Sequence, residues 1–251
     1  MRLHLKKLPC RSWLRLSKHA ARPDNHVPPM MLADVMPKIT VIKRPTPILL
    51  AAGMSQRMSG LNKLLLPING VPMVRHMALT LVAFADVSPV VVLGHEAERV
   101  AAALDGIALT MVTNAHYQSG QMSSVTAGLI AAGQADNYMI CLADLPLLTS
   151  VDCAALFAAH KKAGVGQITV PVQREDGVFV RRGNPIIMPA SARHKIIKGK
   201  TNLGCRGLLN NHPDLIYPFD SCTDGFYADI DTQDAFYKAT GEKPDLQTIA
   251  S

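Results

Sequence analysis

The sequence predicts an α/β protein in which a mostly parallel sheet is covered by helices on both faces. Three observations carry that reading. From residue 47 onward, short apolar runs alternate with segments of helical period, the pattern of parallel strands joined by crossover helices. The first of these runs, residues 48–52, is short and wholly apolar, as a buried strand is. Gly53, Asn114 and Asp144 each follow directly on such a run. In open parallel sheets ligands bind beyond the carboxyl ends of the strands, so these three residues are expected to converge on one edge.

The elements follow in order. Residues 48–52 form the first strand and empty into a loop that starts at Gly53. Pro72 opens a helix running to about residue 85, with proline tolerated in the first turn because its missing N–H would have no partner there. Residues 90–93 follow Pro89 as a strand, then Gly94-His-Glu leads into a helix ending near residue 104. Residues 107–113 read as a strand, 122–132 as a small-residue helix, and 138–143 as a strand ending at Asp144. A helix over 151–162 and a strand over 167–172 come next. Residues 178–181 and 185–188 are strand-like around Gly183-Asn184, and a helix begins near Gln233.

Length and composition narrow the class. With 251 residues, 48% of them hydrophobic, the chain can bury one substantial core. No apolar run approaches the ~20 residues that span a bilayer, so no membrane partner is expected. The net charge of +7 is concentrated at the front: residues 1–44 hold ten Lys and Arg against Asp24 and Asp34. The remainder is near neutral, which argues against a phosphate-tracking surface and against a nucleic-acid partner. Cys10, Cys141, Cys153, Cys205 and Cys222 are scattered without a C-x-x-C pair, so neither a zinc site nor a disulfide framework is indicated and a reducing cytoplasm fits. Cys141 lies in an apolar run and reads as a core residue.

Residues 1–46 form a separate basic extension, interrupted by Pro9, Pro23, Pro28, Pro29, Pro37 and Pro45. Three readings compete: a poorly ordered tail, a translation start placed too far upstream of Met30, Met31 or Met36, and a targeting segment. The first two are favoured, and the domain proper is expected over 47–251.

The loop after the first strand is the most informative stretch. Gly53 lets the backbone turn and aim N–H groups at a phosphate, and Arg57 and Lys63 add two positive charges. Lys63 is expected to be a solvated loop lysine whose removal leaves the fold intact. The spacing fits neither the P-loop, since Lys63 is followed by Leu64, nor the dinucleotide pattern. Leu50-Ala-Ala-Gly-x-Ser-x-Arg-Met, then Lys63-Leu-Leu-Leu-Pro67, then Gly70-x-Pro72 resembles the signature loop of the MobA-like nucleotidyltransferases. It is most similar to the molybdenum cofactor cytidylyltransferase branch, in which Leu-Ala-Ala-Gly stands where guanylyltransferase members read Leu-Ala-Gly-Gly. The resemblance covers roughly residues 47–240. It implies a three-layer α/β/α nucleotidyltransferase (Rossmann-like) fold with one antiparallel strand late in the sheet.

The remaining polar groups each have a chemical and a structural reading. Asp144, in Cys141-Leu-Ala-Asp-Leu-Pro146, either holds a divalent metal against phosphate oxygens or caps the next turn; beside the loop and in this context, which resembles the family metal motif, Asp144 is expected to be the principal ligand of Mg2+. Asp229 and Asp231 share one face of an extended segment, and the resemblance implies that they complete the metal site. Either Asp231 or Thr232 alternatively caps the helix near Gln233. The segment from Asn114 to Ser124 resembles the family element contacting base and ribose, with Gly120 allowing close backbone approach, while Ser123 or Ser124 is equally suited to cap a helix. Gly183-Asn184 resembles a turn bordering the acceptor pocket, or is an ordinary turn. Thr201 to Arg206 departs from the family element Gly-Asp-x-Gly-x-Arg by Thr201 and Asn202, leaving Arg206 as a phosphate contact or a surface ion pair.

The expected site therefore has Arg57 and Lys63 as catalytic groups and Leu50, Ala51, Ala52, Gly53, Met54, Ser55, Asn114, Gly120 and Ser124 as nucleotide contacts. Asp144, Asp229 and Asp231 would hold metal, and Gly183, Asn184 and Arg206 the acceptor. The implied reaction moves CMP from CTP to a phosphorylated small molecule, molybdenum cofactor by resemblance, with a molybdoenzyme or its chaperone downstream. Alternatives are a sugar or polyol phosphate as acceptor, guanylyl transfer, or a non-catalytic nucleotide or cofactor chaperone on the same fold. The presence of a full charge-neutralising set disfavours the chaperone.

Overall fold

The computed structural model describes residues 42–58, 60–198 and 213–241. Most of the extension lies outside them, and with it the expectation that it is poorly ordered; Arg206 lies outside them too.

Strand β1 (Thr46–Ala51) runs between β4 (Val90–Leu93) and β6 (Asn137–Leu142), parallel to both. Beyond β4 lies β5 (Thr110–Thr113), again parallel. On the other side β9 (Ile186–Pro189) runs antiparallel to β6 and to β7 (Ile168–Glu175), and β10 (Ile216–Asp220) closes that edge parallel to β7. Strand β8 (Val178–Arg182) folds back antiparallel onto the end of β7. The order β10-β7-β9-β6-β1-β4-β5, with β8 beside β7, makes an eight-stranded sheet among the described residues. Two strands are reversed, β9 within the path and β8 beside β7, where the resemblance implies one late antiparallel strand.

Strand alternation sorts the core into two layers. Leu49 and Ala51 point to the face covered by α1 (Met73–Phe84), α2 (Ala97–Ala103) and α4 (Ser150–His160), where Val74, Met77, Val100, Leu156 and Phe157 pack. Ile48 and Leu50 point to the opposite face, against Val125 and Leu129 of α3 (Gln121–Ala131) and Ile196 of α5 (Ala190–Ile197). Each face of β1 is thus fully desolvated, which requires the continuous apolar run that the sequence shows. The three layers are those expected.

A third, smaller cluster joins distant parts of the chain. Met58 of the loop, Leu66, Ile68, Met73, Ile230 and Phe236 pack together. Phe236 belongs to α6 (Gln233–Thr240), so this cluster ties the C-terminal helix to the segment after β1.

Several expectations need correcting. Pro72 is the residue before α1, in extended backbone, because Pro67–Ile68 (β2) and Val71–Pro72 (β3) pair as a small antiparallel hairpin. The strand expected over 107–113 starts at Thr110, since Ile107 N–H still donates to Leu104 O in the turn after α2. Strand β10 escapes prediction because Pro218 interrupts its pattern; as an edge strand it can accommodate the missing N–H. The domain also begins before residue 47. Arg44 donates to Phe84 O, lies over the Phe84 ring at 5.3 Å and faces Asp86 at 3.7 Å, which fastens this part of the extension to the end of α1. Among the described residues no helix is long and apolar enough to cross a membrane.

Candidate active site

Two strand ends and one returning segment build the site. After β1 the chain turns at Ser55, whose backbone is left-handed (φ 50°) and whose hydroxyl accepts from Lys63 N–H at 3.1 Å. Met58 is wholly buried, and Asn62, 2% exposed, caps the single turn Lys63–Leu65 by accepting from Leu64 N–H at 3.1 Å. The loop is thereby folded back on itself and Lys63 is directed inward. At the end of β6, Ala143 N–H donates to Leu50 O at 3.2 Å, holding Asp144 beside the loop. Ile230 N–H donates to the backbone carbonyl of Asp144 at 2.9 Å, and the buried Ile230 side chain anchors the Asp229-Ile-Asp231 segment there.

The charged side chains meet in one network. Lys63 Nζ donates to Asp144 Oδ2 at 2.6 Å and to Asp231 Oδ1 at 2.7 Å, and Arg57 Nη2 donates to Asp231 Oδ2 at 2.5 Å. Burial alone would lower the Lys63 pKa, but the two carboxylates outweigh it and hold the ammonium above its ordinary value. For Asp231 burial acts upward and is outweighed by Lys63 and Arg57, which hold the carboxyl below the usual range. Asp229 is pushed the other way, first by burial and then by its contact with Asp231 and the charge of Asp144.

Arg57, Lys63, Asp144 and Asp231, which contact one another, together line one end of a cavity of about 370 Å³. Leu50, Ala52, Gly53, Met54, Ser55, Gly120 and Ser124, all expected as nucleotide contacts, line it as well. Nothing lies within 4 Å of where a Gly53 side chain would stand, so its backbone is open to a ligand. Gly120 has a backbone conformation that favours glycine (φ 110°), and the space beside it is open, as it is at Gly53.

Other expected residues do different work. Ala51 is 1% exposed and its side chain packs in the core on the α1 side, where strand alternation sends it, away from the cavity. Asn114 is buried and acts as a brace: Nδ2 donates to Ser123 Oγ at 2.8 Å and Ser124 Oγ at 3.0 Å, and Oδ1 accepts from His116 N–H. Neither serine caps α3, whose cap position is Gly120. Thr232 caps α6 by accepting from Ala235 N–H at 3.1 Å, which leaves Asp231 to the charged network. Asp229 is more exposed than Asp231, stays in contact with it, and does not line the cavity. Gly183 and Asn184 do not line it either. A side chain on Gly183 would come within 2.5 Å of Phe226 O, and Asn184 N–H donates to that same oxygen at 2.9 Å. This turn supports the segment leading to Asp231. Cys141 and Cys153 are buried, with thiols pushed up by desolvation, Cys153 to about 12, and are not nucleophiles.

Tyr117 and Gln118, which the sequence reading did not single out, form the uncharged wall of the cavity together with Gln121, a polar contact expected from the sequence. Their signal was their position inside the polar stretch 114–124, but no spacing rule singles them out.

The carboxylates can be tested against a divalent cation. Asp144 Oδ1 is buried without a hydrogen-bond partner, and such an orphaned oxygen suits a hard cation. Among the described residues no group of three or more His, Cys, Asp or Glu is arranged to hold a metal. Asp144 and Asp231 would therefore bind one together with phosphate oxygens of a nucleotide.

Comparison with known proteins agrees with this architecture. The family described as MobA-like NTP transferase domain matches residues 47–215. Nicotine blue oxidoreductase of Paenarthrobacter nicotinovorans is 28% identical over 194 residues, 77% of this chain and 95% of that protein. A nucleotidyl transferase from Methanothermobacter thermautotroptrophicus superposes with TM-score 0.65 at 20% identity, covering 79% of this chain and 96% of that one. A CMP:2-keto-3-deoxy-manno-octonic acid synthetase complexed with CTP gives TM-score 0.64 at 13% identity over 79% and 98%. These two structures share the fold.

Proposed function

Since this chain belongs to the MobA-like NTP transferase domain family, we propose that it acts as a nucleotidyltransferase and moves CMP from CTP onto a phosphorylated small molecule of the molybdenum-cofactor type. The observation that carries the reading is the ion network of Lys63, Arg57, Asp144 and Asp231 at one end of the cavity. An oxygen of the acceptor phosphate attacks the α-phosphorus of the triphosphate. A new P–O bond forms, the bond to the β-bridging oxygen breaks, and pyrophosphate leaves with that electron pair. The attacking oxygen is already ionised, so no strong base is required. Catalysis rests on alignment and on neutralising charge, for which Arg57, Lys63 and the open backbone at Gly53 are placed. Mg2+, held by Asp144 and Asp231 with the nucleotide phosphates, would add Lewis-acid neutralisation.

The choice of cytidine rests on Leu50-Ala-Ala-Gly53 and on the CTP in the structural neighbour named above. The reducing cytoplasm and a molybdoenzyme or its chaperone as recipient belong to the same proposal. The similarity to a protein named as an oxidoreductase supplies the second reading. It is disfavoured because electron transfer does not call for two cations set against two carboxylates at a strand edge.

Pyrophosphate release measured with each of the four nucleoside triphosphates, with and without molybdenum cofactor, tests the proposal. CTP is expected to exceed GTP by about tenfold in kcat/KM, a difference of about 1.4 kcal/mol, and Asp144→Asn is expected to abolish release with either. Equal use of GTP would remove the cytidylyl assignment. No release with any nucleotide would favour the oxidoreductase reading.

A further inference from the structure

We infer that Tyr117 sets the base preference of this site, and that Ala52 and Gly94 act on that preference by fixing where Tyr117 stands. The inference rests on the nucleotidyl-transfer reading above. The cavity has a polarity. Arg57, Lys63, Asp144 and Asp231 occupy its charged end, which suits a triphosphate. Tyr117, Gln118 and Gln121 supply aromatic area and amides but no charge, the chemistry that stacks on a base and reads its edge.

Tyr117 is not free to choose its position. Gly94 follows directly on β4, and a side chain there would lie 2.6 Å from Ala52 Cβ, 2.8 Å from Tyr117 Cβ and 2.9 Å from Tyr117 Cγ. No Cβ is tolerated at such distances, so the bare glycine is the spacer against which the Ala52 methyl and the base of the Tyr117 side chain both pack. The other supports hold the same turn. Asn114 N–H donates to Leu93 O at 2.8 Å, the Asn114 side chain ties His116 to Ser123 and Ser124, and the His95 ring stands 6.3 Å from that of Tyr117.

This arrangement changes what residue 52 does. Ala52 is 5% exposed, and its methyl borders the same space at Gly94 as the Cβ of Tyr117. A hydrogen in its place removes packing beneath Tyr117 and gives the ring room to retreat, widening the uncharged end toward a purine. The methyl therefore acts on the base through the tyrosine.

The test compares wild type, Tyr117→Ala, Tyr117→Phe, Gly94→Ala, Ala52→Gly and the double variant Tyr117→Ala with Ala52→Gly. Dissociation constants for CTP and GTP are measured by calorimetry, and KM and kcat by pyrophosphate release. Tyr117→Ala is expected to reduce the CTP-over-GTP ratio about tenfold, the scale of a pocket contact, with the loss in KM more than in kcat. Tyr117→Phe retains the ratio. Gly94→Ala displaces the ring and lowers the ratio in the same direction. Ala52→Gly improves GTP binding when Tyr117 is present and changes nothing when it is absent, the non-additivity that marks a relay. An unchanged ratio in Tyr117→Ala, or an Ala52→Gly effect that persists without Tyr117, overturns the inference while nucleotide transfer stands. If wild type binds neither nucleotide, the functional reading falls and this inference with it. Should Gly94→Ala not fold, the Ala52 and Tyr117 pair decides alone.

Discussion

Lys63 shows how far one residue's role depends on its surroundings. As a lysine in a loop it was expected to be solvated, and its removal harmless to the fold. In the structure it is 9% exposed and bridges two carboxylates. Lys63→Met should therefore destabilise by about 1–3 kcal/mol, because it strands two half-buried carboxylates, as well as cutting turnover on the order of 10²–10³. Arg57, with a side chain 67% exposed, should cost little or no stability as Arg57→Ala yet lose rate on a similar scale. Urea unfolding beside pyrophosphate release separates the two effects. The same network predicts a pH dependence. Asp231, held below 3.8, contributes stability above that pH and loses it as pH falls through its lowered value; Lys63, held above 10.5, contributes below that pH and loses it as pH rises through its raised value. Asp231→Asn should thus be less stable than wild type at neutral pH, with the gap closing as pH drops below 3.8. A gap unchanged across that range would refute the ion-pair account.

At the scale of elements, the short piece from Thr223 to Thr240 delivers Asp231 to the site and is secured at several points. Thr232 starts α6, Ile230 bonds to Asp144 O, and Phe226 O receives Asn184 N–H. The competing roles proposed for Asp231 and Thr232 are divided between them. Thr232→Ala should cost about 1 kcal/mol of stability through the lost cap while pyrophosphate release stays at the wild-type rate, since the charged network keeps its members. Gly183→Ala should differ. Its methyl would meet a backbone oxygen at 2.5 Å, which cannot swing aside as a side chain does, so about 1–3 kcal/mol of overpacking is expected together with a fall in rate as the segment shifts. Thermal unfolding and rate, measured on both variants, distinguish a cap from a support.

For the whole molecule, the topology explains why the site lies where it does. β1, β4 and β6 run parallel, so the chain leaves all three at the same edge, and every loop that feeds the cavity starts there. The described contacts begin near residue 44: Arg44 lies over Phe84 at the end of α1, and the two core layers close over β1. A protein starting at Met36 keeps these contacts and removes most of the basic charge of residues 1–44. It should unfold at the same temperature and release pyrophosphate at the same rate as the full chain. Circular dichroism is the appropriate probe, because the truncation also removes Trp13, the single tryptophan. A lower unfolding temperature would show that residues 1–35 support the domain.

The sequence by itself determined the α/β class, the order of the main-sheet strands and their helices through β9, and the loop that carries Arg57 and Lys63. Those features are local. A buried strand needs an unbroken apolar run, a helix needs its period, and a sharp turn after a strand needs glycine, so each is written in neighbouring residues. It also placed Asp144 correctly, because a strand end in a parallel sheet points to one edge. Only the tertiary structure decided that Ala51 faces the core, that Asn114 is a brace, that Gly183 supports Phe226, and that Tyr117 forms a wall. It also decided between Asp231 and Thr232, a choice that both residue types satisfy locally. In each of these cases the deciding partner is remote in the chain or hidden in three-dimensional packing. Asp231 meets Lys63 across 168 positions, and no pattern within a segment records which distant charge will fill the space beside it.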